Sequence, residues 1–331
     1  MAVSVLEAIQ SPPSRLEFGG QIVSTETITP RVRLFRVKPL VEAPPPRASA
    51  GAHVDIEVDL SGRREWRSYS LINHVSSGEF YEFAVQREQS GKGGSNYLHD
   101  TVGPGSVVRL RAPANNFSLS AAADSYLLIA GGIGVTPILA MAQELVARAA
   151  QVRAIFCART AADAPFLAEI KSLLGTRLEV NLDAGDPKKF TDFSRVLGSR
   201  RRGEHLYMCG PNAMMTRIVD LASYHSWPAA AVHRETFDPT KGDDSSSFVA
   251  HLARTKVTVE VPAGVSLLDA LLTAGHEPFY DCRRGECGLC VVDVLSGEIS
   301  HRDSYLRPDE RDCKMCTCVS RAAGPDVTLD M

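Results

Sequence analysis

Residues 281–291 read Asp-Cys-Arg-Arg-Gly-Glu-Cys-Gly-Leu-Cys-Val and place three cysteines at the spacing Cys-x4-Cys-x2-Cys. A tight loop with this spacing can present Cys282, Cys287 and Cys290 from one side, as a 2Fe–2S cluster requires. Gly285 and Gly288 favour such a loop, because glycine accepts positive φ and lets backbone N–H groups approach the sulfides. The stretch therefore predicts an iron–sulfur site whose fourth thiolate comes from further along the chain.

A structural zinc site is the alternative for the same cysteines. Zinc knuckles usually take their thiolates from Cys-x2-Cys pairs, and a four-residue gap in a glycine-rich loop suits them less well. An iron–sulfur cluster alone only carries single electrons. We therefore expect the rest of the chain to bind a second redox group that reduces the cluster.

Composition and charge exclude several classes of protein. The 331 residues suffice for two or three domains, and a net charge of −3 argues against nucleic acid or an anionic membrane as the main partner. No apolar run reaches the length of a membrane span, and residues 1–13 lack the basic segment of a secretory signal. Eight cysteines, of which only half would bind the cluster, indicate a reducing compartment. We expect a cytoplasmic protein.

Hydrophobic patterning divides the chain after an N-terminal extension of residues 1–15. Residues 16–118 contain short alternating strands, which are typical of a small antiparallel β-barrel. Residues 119–228 alternate apolar strands with helices, which predicts an α/β domain on a parallel sheet. Residues 229–247 end in a polar run and are predicted to be a linker. Residues 248–331 form a compact unit around the cysteine loop, so we expect a multidomain α+β and α/β fold.

A flavin site is predicted in the first domain. Arg67-Ser68-Tyr69-Ser70 lies on a predicted strand, where an arginine fork suits a phosphate and a tyrosine ring can stack on a flat heterocycle. Lys92-Gly93-Gly94-Ser95 precedes a short helical stretch, and such a start can bind an anion. Each segment alone is typical of ordinary surface. Together they predict a phosphorylated flavin.

Two further segments lie where a predicted parallel strand runs into a helix. Residues 131–137, Gly-Gly-Ile-Gly-Val-Thr-Pro, suit a pyrophosphate, with Thr136 expected as the helix N-cap and Pro137 as the first helical residue. They lack the Gly-x-Gly-x-x-Gly fingerprint, so a tight turn without a ligand is the alternative. Cys209-Gly210-Pro211 ends another strand. Because ligands gather at the carboxyl ends of parallel strands, the two segments should lie side by side.

Taken in this order, the segments resemble those of the phthalate dioxygenase reductase family, within the ferredoxin–NADP reductase superfamily. Residues 301–303, His-Arg-Asp, and residues 318–322, Cys-Val-Ser-Arg-Ala, are similar to the family's C-terminal segments. The resemblance covers residues 16–331. It implies a flavin-binding barrel, an NAD-binding domain and a C-terminal β-grasp ferredoxin domain, with FMN favoured over FAD and NADH as the electron donor.

The resemblance also implies roles for individual residues. Arg67 and the loop Gly93-Gly94-Ser95 would hold the FMN phosphate, and the family pattern selects Cys318, rather than Cys313 or Cys316, as the fourth cluster ligand. Gln86 departs from the lysine that relatives often carry. The predicted catalytic residues, which would surround the flavin ring and the nicotinamide, are Ser70, Thr136, Cys209 and Phe237. The other cofactor-binding residues implied are Ser68, Tyr69, Ala84, Val85, Gln86, Lys92, Gly131, Gly132, Gly134, Arg159, Gly210 and Pro211.

A flavin would resolve a mismatch in electron number, because NADH gives two electrons as a hydride and a 2Fe–2S cluster takes one at a time. We therefore predict hydride transfer to the flavin, then single-electron transfer through the cluster to a partner protein. The resemblance implies that this partner is the terminal oxygenase of a Rieske-type dioxygenase or demethylase. Arg283 and Arg284, beside the cluster, are expected to contact it. The alternatives are a stand-alone flavin or quinone reductase and a redox-sensing iron–sulfur protein.

Overall fold

The computed structural model describes residues 15–42, 46–60, 62–72, 79–88, 93–237, 246–303 and 305–331. Lys92 and nearly all of the predicted N-terminal extension lie outside these ranges, as do residues 238–245 of the predicted linker. The described chain divides into two compact units, one from Arg15 to Glu235 and the other from Thr236 onward. Within the described ranges, no helix has both the length and the hydropathy needed to cross a membrane.

The first unit begins with six antiparallel strands in the order β4-β3-β6-β1-β2-β5. A bridge between Leu71 and Phe83 brings the two outer strands together and closes the barrel, as the alternating pattern predicts. Phe35 and Phe83 stack at 5.3 Å in its apolar core. The elements are β1 (Glu17–Thr29), β2 (Val32–Leu40), β3 (His53–Leu60), β4 (Arg63–Ser70), β5 (Tyr81–Gln86), α1 (Gly94–Thr101) and β6 (Val107–Ala114).

The same unit continues as five parallel strands in the order β11-β10-β7-β8-β9. Helices cover both faces, since α2 and α3 pack in one apolar cluster while α4 and α5 pack in another. All residues of β7 are buried between them, which explains its unbroken apolar sequence. The elements are β7 (Ser125–Gly131), α2 (Val135–Ala147), β8 (Val152–Ala158), α3 (Leu167–Leu174), β9 (Leu178–Leu182), α4 (Phe193–Gly198), β10 (Glu204–Cys209), α5 (Asn212–Tyr224) and β11 (Val232–Glu235).

The first part of the predicted linker requires a correction. Residues 229–231 form a 3-10 turn, and β11 pairs in parallel with β10 from Leu206↔Val232 to Cys209↔Glu235. The backbone groups of β11 are therefore part of the sheet. Residues 229–235 therefore belong to the first unit and not to a linker.

The second unit has a five-stranded mixed sheet in the order β13-β12-β18-β14-β16 and a two-stranded ladder of β15 and β17. Helix α6 begins at the N-cap Ser266, whose hydroxyl accepts a hydrogen bond from the N–H of Asp269, and packs its apolar face on the sheet. This is the expected β-grasp arrangement. The elements are β12 (Phe248–Leu252), β13 (Val257–Val261), α6 (Leu267–Thr273), β14 (Val291–Ser296), β15 (Ile299–Ser300), β16 (Lys314–Cys316), β17 (Arg321–Ala322) and β18 (Asp326–Leu329).

Candidate electron-transfer sites

The cysteine loop between α6 and β14 takes the conformation that its glycines permit. Gly285 and Gly288 have φ values of 72° and 77°, in the region that other residues rarely enter. A Cβ on Gly285 would lie 2.6 Å from Val319, and a Cβ on Gly288 would lie 2.1 Å from the ring of Tyr305. Both glycines are thus required by backbone conformation and by close packing.

The cysteine side chains of this region form two hydrogen-bonded groups, Cys282 with Cys287 and Cys290 with Cys316 and Cys318. The Sγ atoms of Cys290 and Cys318 are 3.2 Å apart, and the Cys287 thiol hydrogen-bonds to Cys282. The Cys287 thiol, together with backbone N–H groups that include that of Arg284, lowers the pKa of Cys282 to about 6. The thiols of Cys316 and Cys318 lower the pKa of Cys290 to about 3. The pKa values of Cys287 and Cys318 are raised in return, because each thiol shares a hydrogen bond with a sulfur whose pKa is lowered. Cysteine sulfurs with backbone N–H groups beside them are the donors that a 2Fe–2S cluster takes, so these residues fit the cluster.

Cys316 is a residue that sequence reasoning did not place at this site. Its side chain is fully buried, and its thiol hydrogen-bonds to Cys290. The spacing Cys316-x-Cys318 is the only sequence signal for it, because the last residue of β16 and the residue two further on both reach the loop. Cys313, by contrast, is exposed, and its thiol points to the carbonyl of Glu310 at 3.6 Å. The assignment of Cys318 as the fourth ligand remains a prediction.

The two arginines beside the cluster loop have different surroundings. Arg283 is exposed, pairs with Asp269 at 3.0 Å and lies over the ring of Tyr280. Arg284 is buried and pairs with Glu286, the Nε–Oε2 distance being 3.3 Å. The expectation that Arg284 contacts a partner protein is therefore wrong, because the side chain is not accessible. Of the two, Arg283 alone could serve that purpose.

In the barrel, the predicted phosphate-binding segments meet. A Cβ on Gly94 would lie 3.0 Å from Nε of Arg67, so the start of α1 lies against this guanidinium. Gly93 is the N-cap of α1 with φ of 90°, and Ser95 accepts a hydrogen bond from the N–H of Glu88. Arg67 also donates to Glu65 at 2.6 Å. A guanidinium beside a helix N-terminus gives two independent attractions for a phosphate.

Tyr69 and Ser70 lie at the end of β4. The Tyr69 ring stacks on Phe83 at 5.5 Å, and burial raises its pKa, so the hydroxyl stays protonated. Ser70 is buried and donates to Oε2 of Glu235 at 2.9 Å. Glu235, the last residue of β11, is itself buried. Sequence reasoning missed Glu235; its only signal is a carboxylate at the carboxyl end of a parallel strand.

The two segments predicted at the carboxyl ends of parallel strands do lie side by side. A Cβ on Gly134 would come within 2.3 Å of the carbonyl oxygen of Cys209, and one on Gly210 within 2.9 Å of Cα of Gly131. The cause is the parallel pairing of β7 with β10, which aligns Ala130 with Cys209. The expected adjacency is confirmed.

The predicted helix start is wrong by two residues. The N-cap of α2 is Gly134, and Thr136 is the second helical residue, its hydroxyl donating to the carbonyl of Ile133 at 3.0 Å. A 3-10 turn at Gly132–Gly134 runs directly into α2, because glycines impose no side-chain barrier there. Pro137 is tolerated as the third residue, since the first four helical N–H groups have no intrahelical partner.

The other predicted cofactor-binding residues are distributed as follows. Ala84 and Val85 are buried on β5, and the Val85 side chain belongs to the barrel core. Ser68 donates to Asp55 at 2.6 Å, and Gln86 donates to Glu88 at 2.7 Å. Three of the remaining predicted residues are Arg159, exposed after β8; Pro211, the N-cap of α5; and Phe237, 38% exposed in the second unit. Their cofactor contacts remain predictions.

The barrel with Arg67 beside a helix N-terminus, the parallel-sheet domain and the three-cysteine loop in contact with Cys318 define an iron–sulfur flavoprotein oxidoreductase. Family models match each part. The oxidoreductase FAD-binding domain matches residues 20–119, and the 2Fe-2S iron-sulfur cluster binding domain matches residues 250–323. Between them, the N-terminal domain of dimethylamine monooxygenase subunit DmmA-like proteins matches residues 108–232.

Similar proteins of known description match nearly the whole chain. Phthalate dioxygenase reductase of Burkholderia cepacia is 34% identical over 94% of this chain and 96% of its own. The beta subunit of heme-dependent oxidative N-demethylase of Ectopseudomonas mendocina is 34% identical over 94% of this chain and 98% of its own. A solved structure of phthalate dioxygenase reductase covers 95% of this chain and 98% of its own, with a TM-score of 0.74 and 34% identity. The chain belongs to the phthalate dioxygenase reductase family.

A second structural match is to part of a longer protein. An intact type IV self-sufficient cytochrome P450 monooxygenase is 29% identical, with a TM-score of 0.75, and the match covers 97% of this chain but 43% of that one. The same reductase architecture is thus found there within a longer chain.

Proposed function

We propose that this protein is the NADH-dependent reductase component of an oxygenase system, with FMN as its flavin and a Rieske-type oxygenase as the electron acceptor. The observation that carries the proposal is that one chain combines a barrel in which Arg67 lies beside a helix N-terminus with a three-cysteine loop that contacts Cys318. Relatives described as phthalate dioxygenase reductase, carnitine monooxygenase reductase subunit and vanillate O-demethylase oxidoreductase support it. When bound, the flavin would take up a hydride and pass electrons on singly.

The approach of Gly94 to Arg67 supports FMN. In FMN the terminal phosphate carries its full charge, and a guanidinium with a helix N-terminus suits such a dianion. The family model named for FAD does not distinguish the two flavins, since both share the isoalloxazine ring.

Ser70 and Glu235 would act on the hydride-accepting side of the flavin. The Ser70 hydroxyl donates to Glu235, and its oxygen keeps acceptor capacity for a neighbouring N–H. Burial of both residues excludes water, which strengthens their electrostatic interaction with the reacting atoms.

An anaerobic titration of the purified protein tests the proposal. We expect a spectrum that combines flavin and iron–sulfur bands, FMN released on denaturation, and bleaching of both chromophores by NADH with a rhombic EPR signal from the reduced cluster. NADPH in the same experiment is the matched control, and it should bleach the flavin much more slowly. Release of FAD, or no reduction by NADH, would contradict the proposal.

A heme oxygenase is a second candidate for the partner, favoured by two of the comparisons. One relative is described as the beta subunit of a heme-dependent oxidative N-demethylase, and one solved match is part of a cytochrome P450 monooxygenase. The exposed Arg283 offers a test for either partner. Arg283→Glu should slow reduction of the cognate oxygenase but leave ferricyanide reduction unchanged. Whether the reduced partner shows a Rieske EPR signal or a heme Soret shift separates the two candidates.

A further inference from the structure

Glu286 is a buried carboxylate in the cluster loop that cluster binding itself does not require. It stands immediately before Cys287, and its side chain is 6% exposed. Oε1 accepts a hydrogen bond of 2.6 Å from the backbone N–H of Thr236, and Oε2 lies 3.3 Å from Nε of Arg284. The carboxylate therefore bridges the cluster loop and the first residue of the second unit.

The negative charge of a buried carboxylate must be compensated by a cation or by hydrogen-bond donors. A charge removed from water is strongly unfavourable unless it is paired and hydrogen-bonded. Arg284, 9% exposed, supplies the pairing, and the Thr236 N–H supplies a charge-assisted hydrogen bond. Because both partners are fixed, the carboxylate can occupy only one position. The contact joins residues 50 positions apart, so it restrains the loop far more than local turns could.

Thr236 is also the residue at which the chain leaves the parallel sheet. The preceding residue, Glu235, ends β11 and accepts the hydrogen bond from Ser70. Two consecutive residues therefore take part in buried carboxylate hydrogen bonds. Glu235 accepts one through its side chain, and Thr236 donates one from its N–H to Glu286. Thr236 and Glu286 both belong to the second unit, so their hydrogen bond restrains the cluster loop within that unit.

We propose that Glu286 is a positioning residue for electron transfer, which holds the cluster loop to Thr236 through the hydrogen bond from its N–H. The inference rests on the proposed function. Its essential element is the hydrogen bond, not the charge of Glu286. Arg284 orients the carboxylate, and the two glycines of the loop allow the backbone to place it.

The test removes the acceptor and the donor separately in the full-length protein. Glu286→Ala removes the carboxylate. Thr236→Pro removes the N–H together with the hydroxyl and fixes φ, at a position where the preceding extended strand residue is compatible with proline. Thr236→Ala keeps the N–H and is the matched control. Hydrogen–deuterium exchange of the peptide that contains Thr236 should lose protection in Glu286→Ala, with and without bound cofactors, and remain protected in Thr236→Ala.

Stopped-flow reduction by NADH gives the functional measurement. In Glu286→Ala and Thr236→Pro the flavin should be reduced at the wild-type rate, whereas subsequent cluster reduction should slow by about tenfold or more, as expected when a redox group is held less firmly. Thr236→Ala should match the wild type in both phases. EPR of the dithionite-reduced proteins verifies that each variant retains its cluster.

The outcomes separate the possibilities. If Glu286→Ala slows cluster reduction but Thr236→Pro does not, the charge acts through the cluster potential and the inference is wrong. If both variants transfer electrons at the wild-type rate, it is also wrong. If the wild-type protein itself passes no electrons from flavin to cluster, the proposed function fails instead, while the exchange experiment still reports on the hydrogen bond.

Discussion

Ser70 and Glu235 lie 165 positions apart in the chain and are joined by a hydrogen bond of 2.9 Å that is buried from solvent. Ser70 ends a strand of the barrel, and Glu235 ends the edge strand of the parallel sheet. One side chain from each half of the unit thus meets at a place that neither half could form alone. The contact lies where the flavin ring and the nicotinamide are predicted to bind.

Ser70→Ala should slow flavin reduction by saturating NADH by about 10- to 100-fold, because a preorganised polar group at the reacting atoms is lost. Stability should fall by about 1–3 kcal/mol, since Glu235 loses a buried partner. Stopped-flow absorbance and denaturant unfolding measure the two effects. The matched control is Ser24→Ala, an exposed serine of β1 in the same barrel. An unchanged reduction rate together with lowered stability would assign the contact to folding alone.

Arg67→Gln should weaken FMN binding by about 1.5–3 kcal/mol, the usual contribution of hydrogen bonds to a charged group. Riboflavin, which lacks the phosphate, should bind the variant and the wild type equally. Fluorescence quenching during reconstitution measures both affinities. Arg63→Gln is the matched control, because Arg63 lies on the same strand and also contacts Glu65 but is exposed. Equal losses for FMN and riboflavin would place the phosphate elsewhere.

Cys318→Ser should abolish or strongly reduce the 2Fe–2S content, and Cys313→Ser should leave it unchanged, because Cys313 is exposed and points away. Cys316→Ser is the informative variant, since Cys316 and Cys318 both contact Cys290. We expect it to retain the cluster with a perturbed EPR spectrum. Iron and sulfide analysis and EPR are the measurements. Loss of the cluster in Cys316→Ser but not in Cys318→Ser would reverse the ligand assignment.

Gly134→Ala should destabilise the protein by about 1–3 kcal/mol or more, because the added methyl group would overlap the backbone of Cys209. NADH-dependent flavin reduction should also fall, since the two loops would have to separate. Thermal unfolding and stopped-flow absorbance measure these effects. Gly103→Ala is the matched control, because a Cβ there would meet no atom within 4 Å. Equal effects from both changes would contradict the packing argument.

His233 predicts a pH dependence of stability. Burial, with a smaller contribution from neighbouring His205, lowers its pKa from 6.5 to about 4. Below pH 6.5 the unfolded chain binds a proton at His233, whereas the folded protein binds it only below about pH 4. The free energy of unfolding is therefore highest above pH 6.5 and decreases as the pH falls towards 4. With allowance for solvent screening, we expect a loss of about 1–2 kcal/mol.

Denaturant unfolding at pH 7 and pH 5 measures the effect of His233. His233→Phe should keep the stacking on Tyr207, where the ring centroids are 4.3 Å apart, but lose much of the pH dependence. His251→Gln is the control, because the His251 side chain is 45% exposed and its acidic neighbour Asp326 is also exposed. If the free energy of unfolding falls equally between pH 7 and pH 5 in His233→Phe and in the wild type, the acid sensitivity belongs to other groups.

Much of the architecture follows from local sequence. The predicted change from antiparallel to parallel strands is found between β6 and β7. The periodicity of apolar residues determines such elements, and it can be recognised from neighbouring positions in the sequence. The cysteine loop is equally local, because its spacing and its two glycines determine which sulfurs can face one ligand. The start of α2 was harder to predict, since Thr136 and Pro137 have strong N-terminal preferences that the preceding glycines override.

The sequence by itself determined the three-part architecture and the iron–sulfur and flavin chemistry, because these depend on spacings within short segments. Tertiary structure alone decided that Glu235 meets Ser70, that Glu286 binds Thr236, that Arg284 is buried and that Cys316 joins the sulfurs. The contacts of Glu235, Glu286 and Cys316 each join segments distant in the chain. Their formation depends on how sheets and loops pack, and the free energy of burying a charge depends on partners that no local pattern identifies.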